Sequence, residues 1–357
     1  MRIIAHLDMD AFFASLEEAG SSIFKGKPIV VGADPKEGKG RGVVSTANYK
    51  AREYGIKSAL PISRAWQLSQ KAKAEGKPEA VFVQPDFERY IKASRQVFEI
   101  IKDYAKEVEP ASIDEFYFDL SFANDFSKAE KVCQKIKNEI KEKIKVTCSV
   151  GLGPNKLIAK IAAGMKKPDG FFSVNEEGAE NFLEPLSIRE IPGIGPKTEK
   201  LFNDKGIKIV KELKQFSEKE LHDILGKWGL DLYYKLRGVD NSPLIENREA
   251  KSIGEQATFQ YDTLNSLYIG EVFDNICKDV FRRFLDSGFK TFKTVGITVR
   301  FYDFETKTTA KTLKKPSSSE KEFKMETLKL LLPYLDKRKN PRKKLIRLIG
   351  AKLEKLS

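Results

Sequence analysis

An apolar segment, Ile3-Ile-Ala-His-Leu7, runs into Asp8-Met-Asp10 and then into Ala11-Phe-Phe-Ala-Ser15. The segment has the content of a buried strand and Ser15-Leu-Glu-Glu18 opens an amphipathic run, so residues 1–20 predict strand, turn, helix. In a strand, residues two apart face the same way, which puts Asp8 with Asp10 and Leu7 with Met9. Taken alone, aspartates at a strand end are most simply caps or turn formers. A second acidic pair changes the reading. Asp114 and Glu115 lie in "SIDEFYFDL", where Ile113, Phe116 and Phe118 would otherwise make a buried strand. Adjacent carboxylates in such a segment are costly to desolvate, so they call for a cation unless they lie on an exposed edge or in a hairpin turn.

The chain has only His6 and His222, and Cys133, Cys148 and Cys277 share no close spacing. Neither a zinc cage nor a disulfide framework is expected, and a metal here must be held by oxygen. Asp8, Asp114 and Glu115 therefore point to Mg²⁺, with Mn²⁺ able to substitute. Two such ions about 4 Å apart suit in-line displacement at phosphorus.

Phosphate receptors are legible nearby. "TANYKAR" places Tyr49 and Arg52 three apart on a helical face, and Lys156 and Lys160 lie one turn apart on a helix entered through Gly151-Leu-Gly-Pro154. Each pattern occurs by chance on solvated helices, and the carboxylates give it weight. Gly193-Ile-Gly195, with Pro196 suited to a first helical position, matches a helix-hairpin-helix whose backbone N–H groups meet DNA phosphate without reading sequence. Leu225-Gly-Lys-Trp-Gly229 is a weaker echo.

Other segments fill in the order. Gly26–Gly32 reads as a strand and Arg41–Arg52 as a strand running into a helix. A Lys/Gly/Glu-rich loop is expected at Lys71–Glu79, then a strand at Val81–Val83, a helix at Asp86–Tyr104 and a strand at Pro110–Leu120. Helix Ala129–Lys143 and strand Val146–Leu152 complete an α+β unit with helices on one side of a sheet, closing near Lys167–Gly170. Residues 175–240 are helical. Beyond Lys251, Val295, Ile297, Val299 and Phe301 alternate with Thr298, Arg300 and Tyr302, predicting a small α/β domain with one polar, basic sheet face. The charge agrees, since residues 251–357 carry a net +10 of the total +13. No apolar run suits a bilayer or a secretory signal, so a cytoplasmic, nucleoid-associated protein is expected.

With these motifs in place the chain resembles the Y-family of translesion DNA polymerases, in its polymerase IV branch. The likeness runs nearly end to end, through "DMDAFFAS", "TANYKAR", "SIDE", "GLGPNKLIAKIAA", "PGIG" and "KSIGEQATF". It implies a multidomain α+β right hand: a palm of mixed sheet and helices (1–10 and 80–174), small fingers (11–79), a helical thumb with the helix-hairpin-helix (175–240), a linker (241–251) and an α/β little finger (252–357).

Carried across by motif, Asp8, Asp114 and Glu115 are the expected metal carboxylates, with the Met9 carbonyl as a further ligand and Asp10 structural. Ala11, Phe12 and Phe13 would bring backbone N–H groups to the nucleotide. Phe12 would pack beneath it, and Phe13 would be the steric gate, a plate against C2′ with no room for a hydroxyl. Thr46, Tyr49, Arg52 and Lys160 would clamp the phosphates; Gly193, Ile194, Gly195, Lys197 and Arg300 would meet DNA. The implied activity is template-directed, two-metal addition of dNTPs to a primer 3′-hydroxyl, of low fidelity and without proofreading, by a monomer on primer–template DNA. Phe116 stands where many relatives carry alanine and Phe118 where leucine is frequent, a departure that bears on the packing behind the carboxylates. Relatives often carry a sliding-clamp peptide beyond the point where this sequence ends, and none is legible here. A nucleotide cyclase or a catalytically silent DNA-binding scaffold are the competing readings, and template dependence separates them.

Overall fold

The apolar run at the start of the chain becomes strand β1 (Ile4–Met9), the centre of a five-stranded sheet ordered β5-β6-β1-β7-β8. The computed structural model that shows this describes all residues from Met1 to Ser357 and divides them into two units, Met1–Asn247 and Arg248–Ser357. Strands β5 (Val108–Pro110), β6 (Glu115–Asp119), β1 and β7 (Cys148–Gly153) pair antiparallel in that order, while β8 (Phe171–Ser173) runs parallel to β7. The strand expected over Pro110–Leu120 is thus broken. Its first residue, Pro110, ends β5, Ala111–Asp114 turn, and β6 starts at Glu115. The hairpin turn and the carboxylate pair are the same feature.

On one face of the sheet Ala5, Leu7, Met9, Phe116, Phe118, Val150 and Leu152 share a core with Val97 and Ile101 of helix α4 (Phe87–Lys102) and Ile136 and Ile140 of α5 (Phe126–Lys143). Burying each large apolar side chain contributes about 1.5–3 kcal/mol. Helices were expected on this side alone, but α6 (Lys156–Gly164) crosses the other, where Ile4, Tyr117 and Ala159 pack. Glycine makes the crossing possible: a Cβ at Gly151 would stand 2.1 Å from the Ala159 carbonyl oxygen.

Helix α1 (Phe12–Gly20) leads from this sheet to a small one ordered β3-β2-β4, made of β2 (Ile29–Gly32), β3 (Val44–Ala47) and β4 (Val81–Val83). The small sheet therefore takes its third strand from beyond residue 79. With α2 (Tyr49–Arg52) and α3 (Ile62–Ala74) it encloses its own core around Val30, Val44, Ile56, Ile62 and Ala65. Lys71–Ala74, expected in a loop, continue α3 because Ala72 is buried, and Gly76 then turns the chain at φ +78°.

Helices α7 (Ala179–Leu183), α8 (Pro196–Asn203), α9 (Val210–Leu213), α10 (Glu218–Leu225) and α11 (Lys227–Lys235) surround Phe202, Leu213, Leu221 and Leu232. The chain leaving α11 is fastened back onto the first sheet. Asn155 Nδ2 donates to Gly238 O at 2.7 Å, Arg2 Nη2 to Ser242 O at 2.6 Å, and Ile245 N to the buried Glu109 carboxylate at 2.9 Å.

The second unit is an antiparallel sheet ordered β11-β10-β12-β9, from β9 (Ser252–Thr263), β10 (Phe292–Phe301), β11 (Thr306–Ser317) and β12 (Ile346–Leu356). Val295, Ile297, Val299 and Phe301 are buried in a core with residues of α12 (Ser266–Asp286) and α13 (Glu320–Leu335), as their alternation predicts. Cross-strand register places Thr308, Thr298, Gly350 and Gln256 in one row of the opposite face and Ala310, Gly296, Lys352 and Gly254 in the next. No helix in either unit is long and apolar enough to cross a membrane.

Candidate active site

Pairing of β1 with β6 sets Asp8 directly across from Glu115, both on the α6 side of the sheet. Asp114 precedes in the turn, where its carbonyl accepts the Met9 N–H at 3.0 Å and its carboxylate accepts Ser112 Oγ at 2.6 Å. Ser112 Oγ also accepts the Glu115 N–H at 3.0 Å, so one hydroxyl shapes both acidic residues. Asp10 is 2% exposed and accepts Thr147 Oγ1 at 2.9 Å, Ser149 Oγ at 2.8 Å and the Asp169 N–H at 2.8 Å. It ties β1 to the start of β7 and to the turn before β8, and its oxygens are spent on that.

Two lysines answer the other carboxylates. Lys160 Nζ of α6 lies 2.6 and 2.7 Å from the two Glu115 oxygens, and Lys167 Nζ lies 2.5 Å from Asp8 Oδ1. Burial pushes the Asp8 carboxyl up to about 6, with the negative charges of Glu115 and Asp114 adding to the shift and Lys167 opposing it. The His6 imidazole and the Lys160 ammonium hold the Glu115 carboxyl down, at about 2. His6 is itself pushed below its usual range by burial and hence neutral, and its Nε2 is 3.9 Å from Glu115, so the ammonium supplies the charge.

The donor set fits a hard divalent cation: carboxylate and carbonyl oxygen only, in a place where buried negative charge already draws cationic groups. Asp8 and Glu115 face one another while Ser112 holds Asp114 back in its turn, so the three do not form a closed cage.

Immediately beyond the carboxylates, Ala11 takes a left-handed conformation (φ 46°, ψ 44°) and starts α1 with no side chain capping it. That conformation costs about 1–2 kcal/mol for a residue with a Cβ. It leaves the N–H groups of the first turn available to an anion. Phe12 is buried in the core behind the sheet, and Phe13 is half-buried with its ring stacked on Tyr90 at 4.3 Å and 10°.

Tyr49 and Arg52 meet on α2 as their spacing predicts, with the guanidinium 4.6 Å from the ring centroid. Arg52 Nε donates to Ala47 O at 2.8 Å, and the Tyr49 hydroxyl is buried with no partner. Burial pushes that phenol up, so it stays a proton donor. Thr46 lies on β3 opposite Val31. Asn48 holds this corner together by capping α2 at Ala51 N and accepting Ile29 N from β2. Lys160 rests on Glu115. Lys156, its neighbour one turn earlier, is bonded to the buried Glu109 at 2.5 Å, a structural role.

In the helical region Gly193 has φ +103° and its Cα faces the Trp228 ring, where a Cβ would come within 2.8 Å. Pro196 opens α8 at its first position and Lys197 is exposed. Ile194 departs from expectation: its side chain is buried, its N–H donates to Ile191 O and its carbonyl accepts Arg189, leaving nothing for a phosphate. In the second unit Arg300 lies in the open sheet face with Nε on Thr306 Oγ1 at 2.9 Å.

Sequence reasoning missed Lys167, Ser112, His6 and Asn48. Lys167 carried a local signal in the Pro-Asp-Gly turn that follows it, and Asn48 one as an N-cap residue where the predicted strand runs into a helix.

Residues 7–164 match the model of the impB/mucB/samB family, residues 250–357 its C-terminal domain, and residues 189–240 the thumb domain described for DNA polymerase-iota. The chain is 39% identical over 356 residues to a protein of Methanosarcina mazei named DNA polymerase IV 2, covering 99% of this chain and 92% of the relative. It is 40% identical over 315 residues to DNA polymerase IV of Streptococcus pyogenes serotype M1, covering 87% and 84%. Among solved structures it is similar to a Y-family DNA polymerase chimera of Dbh and Dpo4, with a TM-score of 0.85, 29% identity and 99% of each chain covered. An insertion ternary complex of Dbh DNA polymerase aligns with a TM-score of 0.68 at 30% identity, again over 99% of each chain.

Proposed function

The chain belongs to the Y-family of DNA polymerases, in its DinB-like branch, and on that premise we propose how its residues divide the work of template-directed translesion synthesis. One observation carries the assignment. Asp8 and Glu115 oppose one another near the end of β1, each held by a lysine, with Asp8 three residues before Ala11 and the uncapped start of α1.

Y-family polymerases are metal-dependent, and Asp8, Asp114, Glu115 and the Met9 carbonyl are the residues that would hold Mg²⁺, two ions in this reading. When bound, the metal supplies charge that activates the primer hydroxyl and stabilises the pyrophosphate leaving group. The chain's own residues do the rest. The N–H groups of the first α1 turn, the Tyr49 hydroxyl and the Arg52 guanidinium orient the triphosphate, and Thr46 borders them. Lys160, released from Glu115, adds a cation to the same oxygens. Phe13 lies flat against the sugar and excludes a 2′-hydroxyl. Gly193, Gly195 and Lys197 hold duplex phosphates, as does Arg300 on the open sheet of the second unit. The helix-hairpin-helix and that basic sheet favour a polymerase over a cyclase, which needs neither.

The domains are read as palm (1–10, 80–174), fingers (11–79), thumb (175–240), linker (241–251) and little finger (252–357), acting as a monomer in the cytoplasm without proofreading; a sliding clamp is a further partner in this reading. Extension of a labelled primer–template in Mg²⁺ tests the assignment. Glu115→Gln abolishes addition of the templated dNTP and leaves primer–template affinity within about twofold, because it removes a charge from the reacting end of the site and none from the DNA-binding surfaces. Substantial extension by that variant would overturn the role of Glu115.

A further inference from the structure

Phe13 stands half-buried in the first turn of α1, and an aromatic ring that serves as a gate keeps its place only if something behind it does not yield. The residue behind it is Tyr90, on α4 and fully buried. The two rings stack, with Phe87 meeting Phe13 edge-on at 5.9 Å. Tyr90 is fixed at its other end as well: its hydroxyl donates to Glu17 Oε1 at 2.6 Å. Glu17 follows Phe13 by four residues, one turn of the same helix, so Tyr90 lies along α1 and touches it at both ends.

The far end is locked in turn. Arg89 Nη1 donates to Glu17 Oε2 at 3.1 Å, and Arg89 Nη2 donates to the Leu16 carbonyl. Gly20 leaves the space that the guanidinium occupies, since a Cβ there would lie 2.0 Å from Arg89 Nη2. A tyrosine whose hydroxyl is bonded to Glu17, itself held by Arg89, is restrained against rotating or withdrawing.

We propose that Tyr90, locked by Glu17 and Arg89, is a positioning residue that sets how strictly Phe13 excludes ribonucleotides. The proposal rests on the reading of Phe13 as the sugar gate. Sugar choice is a matter of about an ångström, the room a hydroxyl needs at C2′, and a plate free to tilt by that amount discriminates poorly. Stacking against a buried ring removes the tilt.

The experiment compares kcat/KM for a templated dNTP and the matching rNTP in the wild-type enzyme and in Phe13→Ala, Tyr90→Leu, Tyr90→Phe and Glu17→Gln. In Tyr90→Leu the dNTP-to-rNTP ratio falls by about tenfold, at the lower end of what a single packing contact contributes to specificity. Tyr90→Phe keeps the stack and loses the hydroxyl lock, and its ratio falls by about threefold, the lower end of what one hydrogen bond contributes, as does that of Glu17→Gln. The change lies in kcat for the rNTP, whereas a merely structural Tyr90 would weaken both nucleotides alike and leave the ratio where it was. If Phe13→Ala relaxes the ratio and neither Tyr90 variant does, the inference is overturned and the gate stands. If Phe13→Ala leaves the ratio unchanged, the gate reading itself fails. Should Tyr90→Leu not fold, as a thermal melt would show, an unchanged ratio in Tyr90→Phe and Glu17→Gln overturns the lock.

Discussion

The five-stranded sheet of the first unit and the four-stranded sheet of the second are built alike, each with two helices packed on one face, and differ in what the other face carries. In the first, α6 closes over most of that face and leaves one end, where Asp8 and Glu115 converge. In the second, the face is a field of Thr298, Thr308, Gly296, Gly350, Ala310, Lys352 and Arg300, with no carboxylate pair at its centre. Chemistry at phosphorus needs a few groups at fixed positions, whereas holding a polyanion needs a flat surface with spread positive charge. The two faces therefore fail differently when altered.

The largest expected contrast is catalytic. On the proposed reading of Asp8 as a metal ligand, Asp8→Asn lowers kcat for primer extension by more than about a hundredfold, since even partners behind metal ligands cost 10–100-fold. Lys352→Ala leaves kcat intact, weakens primer–template binding modestly and reduces the salt slope of binding by about 1. Loss of kcat in the lysine variant, with DNA saturating, would break the comparison.

A smaller contrast concerns the glycines. Gly151→Ala drives a methyl group into the α6 backbone, so the thermal midpoint falls, by an amount equivalent to about 1–3 kcal/mol. At Gly296 the nearest atom to an added Cβ is the flexible end of Lys352, at 2.8 Å. Gly296→Ala therefore melts close to wild type and shows its effect in DNA affinity. Equal melting shifts would mean that the open face is packed as tightly as the closed one.

The smallest effect sharpens the electrostatic side. The Asp8 carboxyl sits near 6 against an ordinary 3.8, so the folded protein binds this proton more tightly than the unfolded chain does. Its ionisation subtracts stability as pH rises from about 4 to about 6. Glu115, held near 2 against 4.5, works the other way: its contribution is present above about 4.5 and lost as pH falls through about 2. In metal-free protein, Asp8 followed by carboxyl NMR titrates near 6, and Lys167→Met moves its midpoint higher because the opposing ammonium is gone. An unmoved midpoint would show that Lys167 is not the partner of Asp8.

What the sequence disclosed follows from range. Alternation placed Val295, Ile297, Val299 and Phe301 against the helices, and paired Asp8 with a distant acidic dipeptide, because both are periodic or compositional signals. It left open whether Asp114 lies in a strand or in a turn, since the hairpin is set by Ser112, a single hydroxyl serving two residues. Nor did it place α6 on the carboxylate face. That depends on Gly151 and Gly153 fitting under Ala159, a relation between segments with no period to read. Lys160 had been expected among the phosphate clamps, and it rests on Glu115; a lysine's reach admits both positions, and spacing along a helix does not choose between them.

The position of β1 has a kinetic consequence. It is the middle strand of its sheet and the first to be made, while its neighbours β6 and β7 begin at Glu115 and Cys148. At about 5–20 residues per second of synthesis it waits on the order of ten seconds for its second neighbour, an apolar strand with both edges unsatisfied. During that interval the like charges of Asp8 and Asp10 discourage it from pairing with the same strand of another nascent chain. The carboxylates proposed for phosphoryl chemistry and sheet anchoring in the finished enzyme are, before it is finished, a guard against aggregation.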